Sequence, residues 1–266
     1  MTAGPVVVTG AAGLLGRVLL TGLDKGLDVR GVDRRRPAGR QIAGRSVARA
    51  DLVRPGAARR AIRGADVVVD LAAVASASAP WSAVRRTNLP VAWNVLDGAR
   101  AAGVRRVVIA SSNHVVGGYE LDEPYRSVLA GTRDGLDPAT LPRLGADAPV
   151  RPDGPYGVGK VMAEAAARHV AERDGLSVVV LRIGTVRPAD VPESPRHLAT
   201  LLTHRDLVQL VTRCIDAPDD LGFGVFYGVS ANTWRIWDIE PAARRLGYAP
   251  ADDAEAWAGS VLGPRR

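Results

Sequence analysis

The opening of the chain restricts the fold more than any other segment. Val6-Val7-Val8-Thr9 runs into Gly10-Ala11-Ala12-Gly13-Leu14-Leu15-Gly16 and then into a second apolar stretch. A buried strand, a glycine turn and a helix in that order form a ready-made anion site. Glycine lets the backbone turn tightly and approach a pyrophosphate, and the helix N-terminus aims free amides and partial positive charge at it. The spacing is G-x-x-G-x-x-G rather than G-x-G-x-x-G. Asp33 closes the next apolar run, where a carboxylate accepts both ribose hydroxyls of a dinucleotide and repels a 2′-phosphate. That favours NAD. Arg34, Arg35 and Arg36 follow directly and could hold such a phosphate, so NADP stays open.

The rest of the first half repeats the alternation. Pro5–Thr9, Leu27–Val32, Ser46–Ala50, Asp66–Leu71 and Arg105–Ala110 read as buried parallel strands. Helical stretches lie at Gly13–Asp24, Pro55–Arg63 and Thr87–Ala102, and Tyr156–Asp174 leads to another apolar run, Leu176–Ile183. This predicts an α/β fold: a Rossmann-type doubly wound parallel sheet with a small C-terminal substrate-binding portion. One domain over 1–266 is expected, with 1–184 mainly a cofactor-binding core and 185–266 mainly substrate-binding. Val116–Val150 has no clean period and reads as a loop or small excursion over one sheet end. The proline-rich Arg187–His197 reads as an irregular loop. Helix Thr203–Asp216, with Thr203 as its cap, strand Val225–Val229 and one final short helix complete the chain.

Charge narrows the partners. The net charge is +7, yet all but two of the 35 basic residues are arginines, spread along the chain. No nucleic-acid module surrounds the densest run, so the reading is an arginine-rich surface that favours anionic small molecules over nucleic acid. No apolar run suits a membrane helix, and the start lacks the marks of a secretory signal, so a cytoplasmic protein is expected. Cys214 is the only cysteine, which excludes an internal disulfide, and no metal is called for.

Chemistry concentrates at two places. Tyr156-Gly-Val-Gly-Lys160 opens a helix, with Asp153 expected as N-cap and Pro155 in the first turn. Spacing of four puts phenol and ammonium on one face. A tyrosine acts as a base near neutrality only where nearby positive charge favours its phenolate, and a lysine supplies it. The chain otherwise uses arginine almost exclusively, so one of its two lysines here points to a need for a compact point charge. Ser111-Ser112-Asn113-His114 follows the fifth strand, at the carboxyl edge where ligands of α/β sheets bind. There a hydroxyl can orient a reacting oxygen. For the cofactor, Gly10, Gly13, Leu14, Leu15, Gly16 and Asp33 are joined by Asp51 and Leu52 near the adenine. Leu71 ends the fourth strand, Ala72 and Ala73 follow it, and Ile183 ends the run before Gly184.

Taken together, these motifs resemble the extended short-chain dehydrogenase/reductases of the NAD-dependent epimerase/dehydratase group. Within it, Ser111–Gly117, Pro149–Lys160, Leu181–Gly184 and Trp237-Asp238 look like the uronate dehydrogenases, which oxidise C1 of a cyclic hexuronic acid with NAD to an aldarolactone. The resemblance implies Tyr156 as base, Lys160 as its partner and Ser112 as the oxygen-orienting residue. It implies that Ser76, Asn113, His114 and Thr185 contact the sugar and that Arg196 grips its carboxylate. Asn88 matches an asparagine behind the site, grouped with the cofactor contacts. A homo-oligomer acting on an anionic sugar is what the resemblance suggests. Val116–Val150 is longer than in the uronate dehydrogenases. A related branch oxidises glucose 6-phosphate, so a sugar phosphate or another polyol is the alternative substrate. A non-catalytic NAD(P)-binding module is the alternative of a different class.

Overall fold

The computed structural model describes residues 4–35 and 37–263. Arg36, part of the arginine run, lies outside the described residues. Eight strands form one sheet in the order β3-β4-β2-β1-β5-β6-β7-β8. They are β1 Val6–Thr9, β2 Val29–Asp33, β3 Gln41–Ile42, β4 Arg45–Arg49, β5 Val67–Asp70, β6 Arg106–Ser112, β7 Ser177–Ile183 and β8 Phe223–Gly228. Every pairing is parallel except the short β3–β4 hairpin at one edge, which the sequence reading did not anticipate. The chain moves outward from β1 through β2 to β4, then returns to β5 on the other side. The crevice between β1 and β5 is therefore the switch point, where ligands of such sheets bind.

Ten helices accompany the strands among the described residues: α1 Leu14–Gly22, α2 Pro55–Ile62, α3 Trp81–Ala83, α4 Leu89–Ala101, α5 Tyr125–Ala130, α6 Pro155–Asp174, α7 His197–Thr200, α8 His204–Asp216, α9 Glu240–Leu246 and α10 Ala258–Leu262. Strand alternation sorts the core into two layers. Val6, Val8, Val67, Val69 and Val108 pack toward α1, α8 and α9. Val7, Val68, Val107 and Ile109 pack toward α2, α4 and α6. Strands buried on both faces explain the unbroken valine runs. Cys214 sits in the first layer, and burial pushes its thiol up. No helix among the described residues is long and apolar enough to cross a membrane.

Local chemistry explains where elements depart from expectation. Pro90 has no N–H for the Arg86 carbonyl, so the turn before α4 widens and the Leu89 N–H donates to the Val84 carbonyl. Gly154, not Asp153, occupies the α6 cap position. The Asp153 carboxylate instead meets His114 Nδ1 at 2.6 Å. Thr203 does cap α8, accepting from the Asp206 N–H at 3.3 Å. The 116–150 stretch contains α5 and a compact apolar cluster. Val128, Leu129, Leu141 and Leu144 pack there with Tyr227, Trp234, Ile236 and Trp237 from the tail. Its register is pinned by the Leu144 N–H donating to the Ile236 carbonyl and the Asp238 N–H donating to the Leu144 carbonyl. The tail carries two short helices, α9 and α10, rather than one.

Candidate active site

The carboxyl ends of β1, β2, β4, β5, β6 and β7 surround one cavity of about 620 Å³. At its floor the glycine loop is locked against its neighbours. Gly10 has φ +62, and a Cβ there would stand 2.8 Å from the Leu71 carbonyl oxygen. A Cβ on Gly16 would lie 2.5 Å from the Gly10 oxygen. Only glycine fits either place. No side chain caps α1, so the first amides of that helix face the cavity without an intrahelical acceptor. Beneath the loop, Thr9 Oγ1 donates to Asp70 Oδ1 at 2.5 Å, and the amides of Leu71 and Ala72 donate to the same threonine oxygen. Burial pushes the Asp70 carboxyl up, opposed by the Thr9 hydroxyl and the Lys160 charge. Neither Thr9 nor Asp70 carried a sequence signal, because their role depends on β1 and β5 being neighbours.

Asp33 ends β2 with one carboxylate oxygen accepting from the Ala12 amide and the other from the Arg35 amide. It lines the cavity with Arg34 and Arg35. Asp51, Leu52, Leu71, Ala72, Ala73 and Ile183 line it too, as do Leu14, Leu15 and Gly13. Asn94 of α4 holds the Asp51–Val53 turn by donating to the Leu52 and Val53 carbonyls at 3.0 and 2.8 Å. Asn88 departs from its expected place. It is off the cavity wall, and its amide clamps Val74, accepting from that N–H at 2.8 Å and donating to that carbonyl at 3.3 Å. It shapes the loop after β5 rather than facing the cavity.

Across the crevice, α6 presents Tyr156 and Lys160 on the same wall, both buried. Lys160 Nζ stands 5.7 Å from the Tyr156 ring centre and donates to the Ala110 carbonyl at 2.5 Å. His114 meets Tyr156 edge-on at 5.7 Å. Ser111 and Ser112 diverge in use. Ser111 Oγ donates to Glu164, one turn beyond Lys160, and Glu164 is bound by Arg182 of β7 in a buried ion pair. This pair ties α6 to the sheet behind the tyrosine. Ser112 Oγ has only weak local partners, the Asn113 side chain and the His114 amide. It is thus the serine available to a ligand.

The remaining wall is formed by Ser76, Asn113, His114, Thr185, Arg187 and Arg196. Arg196 does reach the cavity, but it is already engaged. Its Nε and Nη2 donate to Glu120 at 2.8 and 2.6 Å, and its Nη1 donates to Thr185 Oγ1 at 3.1 Å. Glu120 comes from the 116–150 stretch and had no signal in the sequence. Arg187 pairs with Glu193 through a single contact from its Nη2.

A glycine-lined switch point, an acid closing β2, and a buried tyrosine and lysine beside a free serine define a dinucleotide-dependent oxidoreductase of the short-chain dehydrogenase type. Comparison with known proteins agrees. The profile of the NAD dependent epimerase/dehydratase family matches residues 6–207, and the chain belongs to that family. A uronate dehydrogenase from Agrobacterium fabrum (strain C58) is 35% identical, over 95% of this chain and 86% of that one. An NAD-dependent glucose-6-phosphate dehydrogenase from Haloferax volcanii is 33% identical, over 94% of each chain. An L-arabinose 1-dehydrogenase (NAD(P)(+)) from the same organism is also 33% identical, over 94% of this chain and 97% of that one. Among solved structures, a mutant uronate dehydrogenase from Agrobacterium tumefaciens complexed with NAD superposes with TM-score 0.82 at 32% identity, covering 98% of this chain and 91% of that chain. The protein is an NAD-dependent enzyme. The closed glycine cradle, the free α1 amides and the two-oxygen acceptor at Asp33 fit that cofactor.

Proposed function

We propose that this enzyme oxidises the C1 hydroxyl of a cyclic sugar to the lactone. The observation that carries the reading is the juxtaposition of Tyr156, Lys160 and an uncommitted Ser112 beside the switch point. In this reading Gly10, Gly13, Gly16 and the amides of Leu14 and Leu15 receive the pyrophosphate, and Asp33 the adenosine ribose. Asp51 and Leu52 flank the adenine, and Leu71, Ala72, Ala73 and Ile183 pack along the cofactor. When bound, NAD would supply the acceptor for the hydride lost from C1. Ser112 Oγ hydrogen-bonds the C1 oxygen and orients it. Tyr156 takes the hydroxyl proton, with the Lys160 ammonium 5.7 Å from its ring centre. Lys160 is fixed for this by the Ala110 carbonyl. Asn113, His114, Ser76 and Thr185 hold the ring hydroxyls.

The substrate is less uniform than the chemistry. Three of the relatives carry the names of a uronate, a sugar-phosphate and a pentose dehydrogenase, and what they share is a sugar. A hexuronate would use Arg196 as its carboxylate grip, which requires that arginine to be released from Glu120. The test is reduction of NAD, followed at 340 nm, with glucuronate, galacturonate, glucose 6-phosphate and the corresponding uncharged sugars. Silence with every sugar, with NAD binding retained, would overturn the reading. The homo-oligomer would be formed through α4 and α6, which expose Trp93, Val158 and Met162. Light scattering on the purified protein tests it.

A further inference from the structure

The far end of the cavity carries three groups that can be cationic, and each faces a carboxylate. His114 meets Asp153, Arg187 meets Glu193 and Arg196 meets Glu120. The last pair matters most, because Arg196 is the group placed to recognise the end of the sugar remote from C1. One bidentate edge of its guanidinium is filled by Glu120, and Nη1 is turned to the hydroxyls of Thr185 and Thr200 at 3.1 and 3.5 Å. No second two-pronged edge remains for a ligand carboxylate unless a built contact breaks.

The position of Glu120 is itself enforced. It follows Gly117 and Gly118, which lie flush against the chain entering α6. A Cβ on Gly117 would collide with the Asp153 carboxylate at 2.2 Å, and one on Gly118 with Arg151 Cγ at 2.7 Å. The Gly118 N–H donates to the Arg151 carbonyl at 2.7 Å, and the Arg151 guanidinium lies over the Tyr119 ring. Both partners of the pair are largely shielded, with 18% and 28% of the Glu120 and Arg196 side chains exposed. Glu120 therefore stays behind Arg196 rather than swinging into solvent.

We infer that Glu120 is a specificity-determining residue that neutralises Arg196, so that the preferred substrate is an uncharged cyclic aldose rather than a uronate or a sugar phosphate. The inference rests on the C1-oxidation reading and names the substrate class for it. A substrate carboxylate at Arg196 would share one guanidinium with Glu120 and leave an excess negative charge in a cavity of reduced solvation. A hydroxymethyl group, or a bare ring carbon as in a pentopyranose, brings no charge. The remaining Arg196 N–H can then donate to a neutral hydroxyl.

The test uses matched sugars that differ only at C6: galactose with galacturonate, glucose with glucuronate and with glucose 6-phosphate, and arabinose as the sugar lacking that carbon. Initial rates with NAD give kcat/KM for each. For the native enzyme the uncharged member of each pair is expected to be favoured by about ten-fold or more. In E120Q the ratio of uronate to uncharged sugar should rise by about ten-fold, through a lower KM for the uronate. E120A provides a second variant should the amide disturb the local structure, with circular dichroism reporting the fold. A native preference for uronates or glucose 6-phosphate, or a ratio unmoved in both folded variants, would overturn the inference and leave C1 oxidation standing. Absence of turnover with every sugar would overturn both.

Discussion

At the cofactor end of the cavity, Arg34 and Arg35 have no acidic partner among the described residues, and a row of helix amides stands open beside them. At the opposite end, His114, Arg187 and Arg196 are each matched by a carboxylate. The first end keeps its positive field, whereas the second has spent its own internally. The overall charge of +7 therefore says little about the substrate. What decides recognition is whether each cation in the cavity is still available.

The contrast can be broken at its hinge first. Tyr156→Phe should lower kcat/KM by about 10³-fold while leaving NAD affinity nearly intact, since it removes a proton acceptor and adds no volume. Fluorescence titration with NAD beside steady-state rates separates these effects, and equal loss in both would remove Tyr156 from the chemistry. Glu164→Gln should destabilise the fold by about 3 kcal/mol. It leaves the buried Arg182 charge without its counter-ion behind the tyrosine helix. Calorimetry of the melting transition measures this. A change within error would mean that the Ala146 carbonyl and the Tyr227 hydroxyl suffice to satisfy Arg182.

Gly16→Ala sharpens the cofactor side. Its Cβ has no room against Gly10 and Ala11, so the loop must shift, weakening NAD binding by about 1–3 kcal/mol. Sugar preference should not change, and a switch in preference would show that the two ends are coupled. The smallest effect concerns pH at the substrate end. Burial, with Arg187 and Arg196 nearby, holds His197 below the usual imidazole range. Its Nδ1 accepts from the Glu193 amide at 3.0 Å, which requires the neutral ring. Because the folded pKa is depressed, the unfolded chain takes up the proton first. Stability is therefore full above the ordinary histidine pKa and declines as pH falls below it. His197→Asn should flatten that decline in denaturant melts between pH 7 and about 5.

Much of the cofactor half could be read directly. Gly10, Gly13, Gly16 and Asp33 carry their meaning in spacing alone, because a strand, a turn and a helix adjacent in sequence are adjacent in space. Tyr156 and Lys160 are legible for the same reason, four residues apart on one helix. Legibility failed where a side chain is used by a distant segment. Asn88 has the residue type of a cofactor contact, yet it serves Val74. Asp153 has the residue type of a helix cap, but His114 takes its carboxylate. Val116–Val150 lacks periodicity because its apolar residues are spaced to fit the tail around Trp237 rather than any element of its own.

The sequence by itself determined the doubly wound sheet, the nucleotide cradle and the tyrosine–lysine pair, all of them products of local spacing and hydrophobic alternation. Tertiary structure alone decided which charges remain available. Glu120 and Arg196 are separated by most of the excursion and the whole of α6 and β7, and no local propensity relates them. They meet because Gly117 and Gly118, seated against Arg151 and Asp153 at the entry to α6, carry a glutamate to the rim that β7 and α7 build. In the proposed reading, that long-range pairing sets whether the site takes an anionic or a neutral sugar.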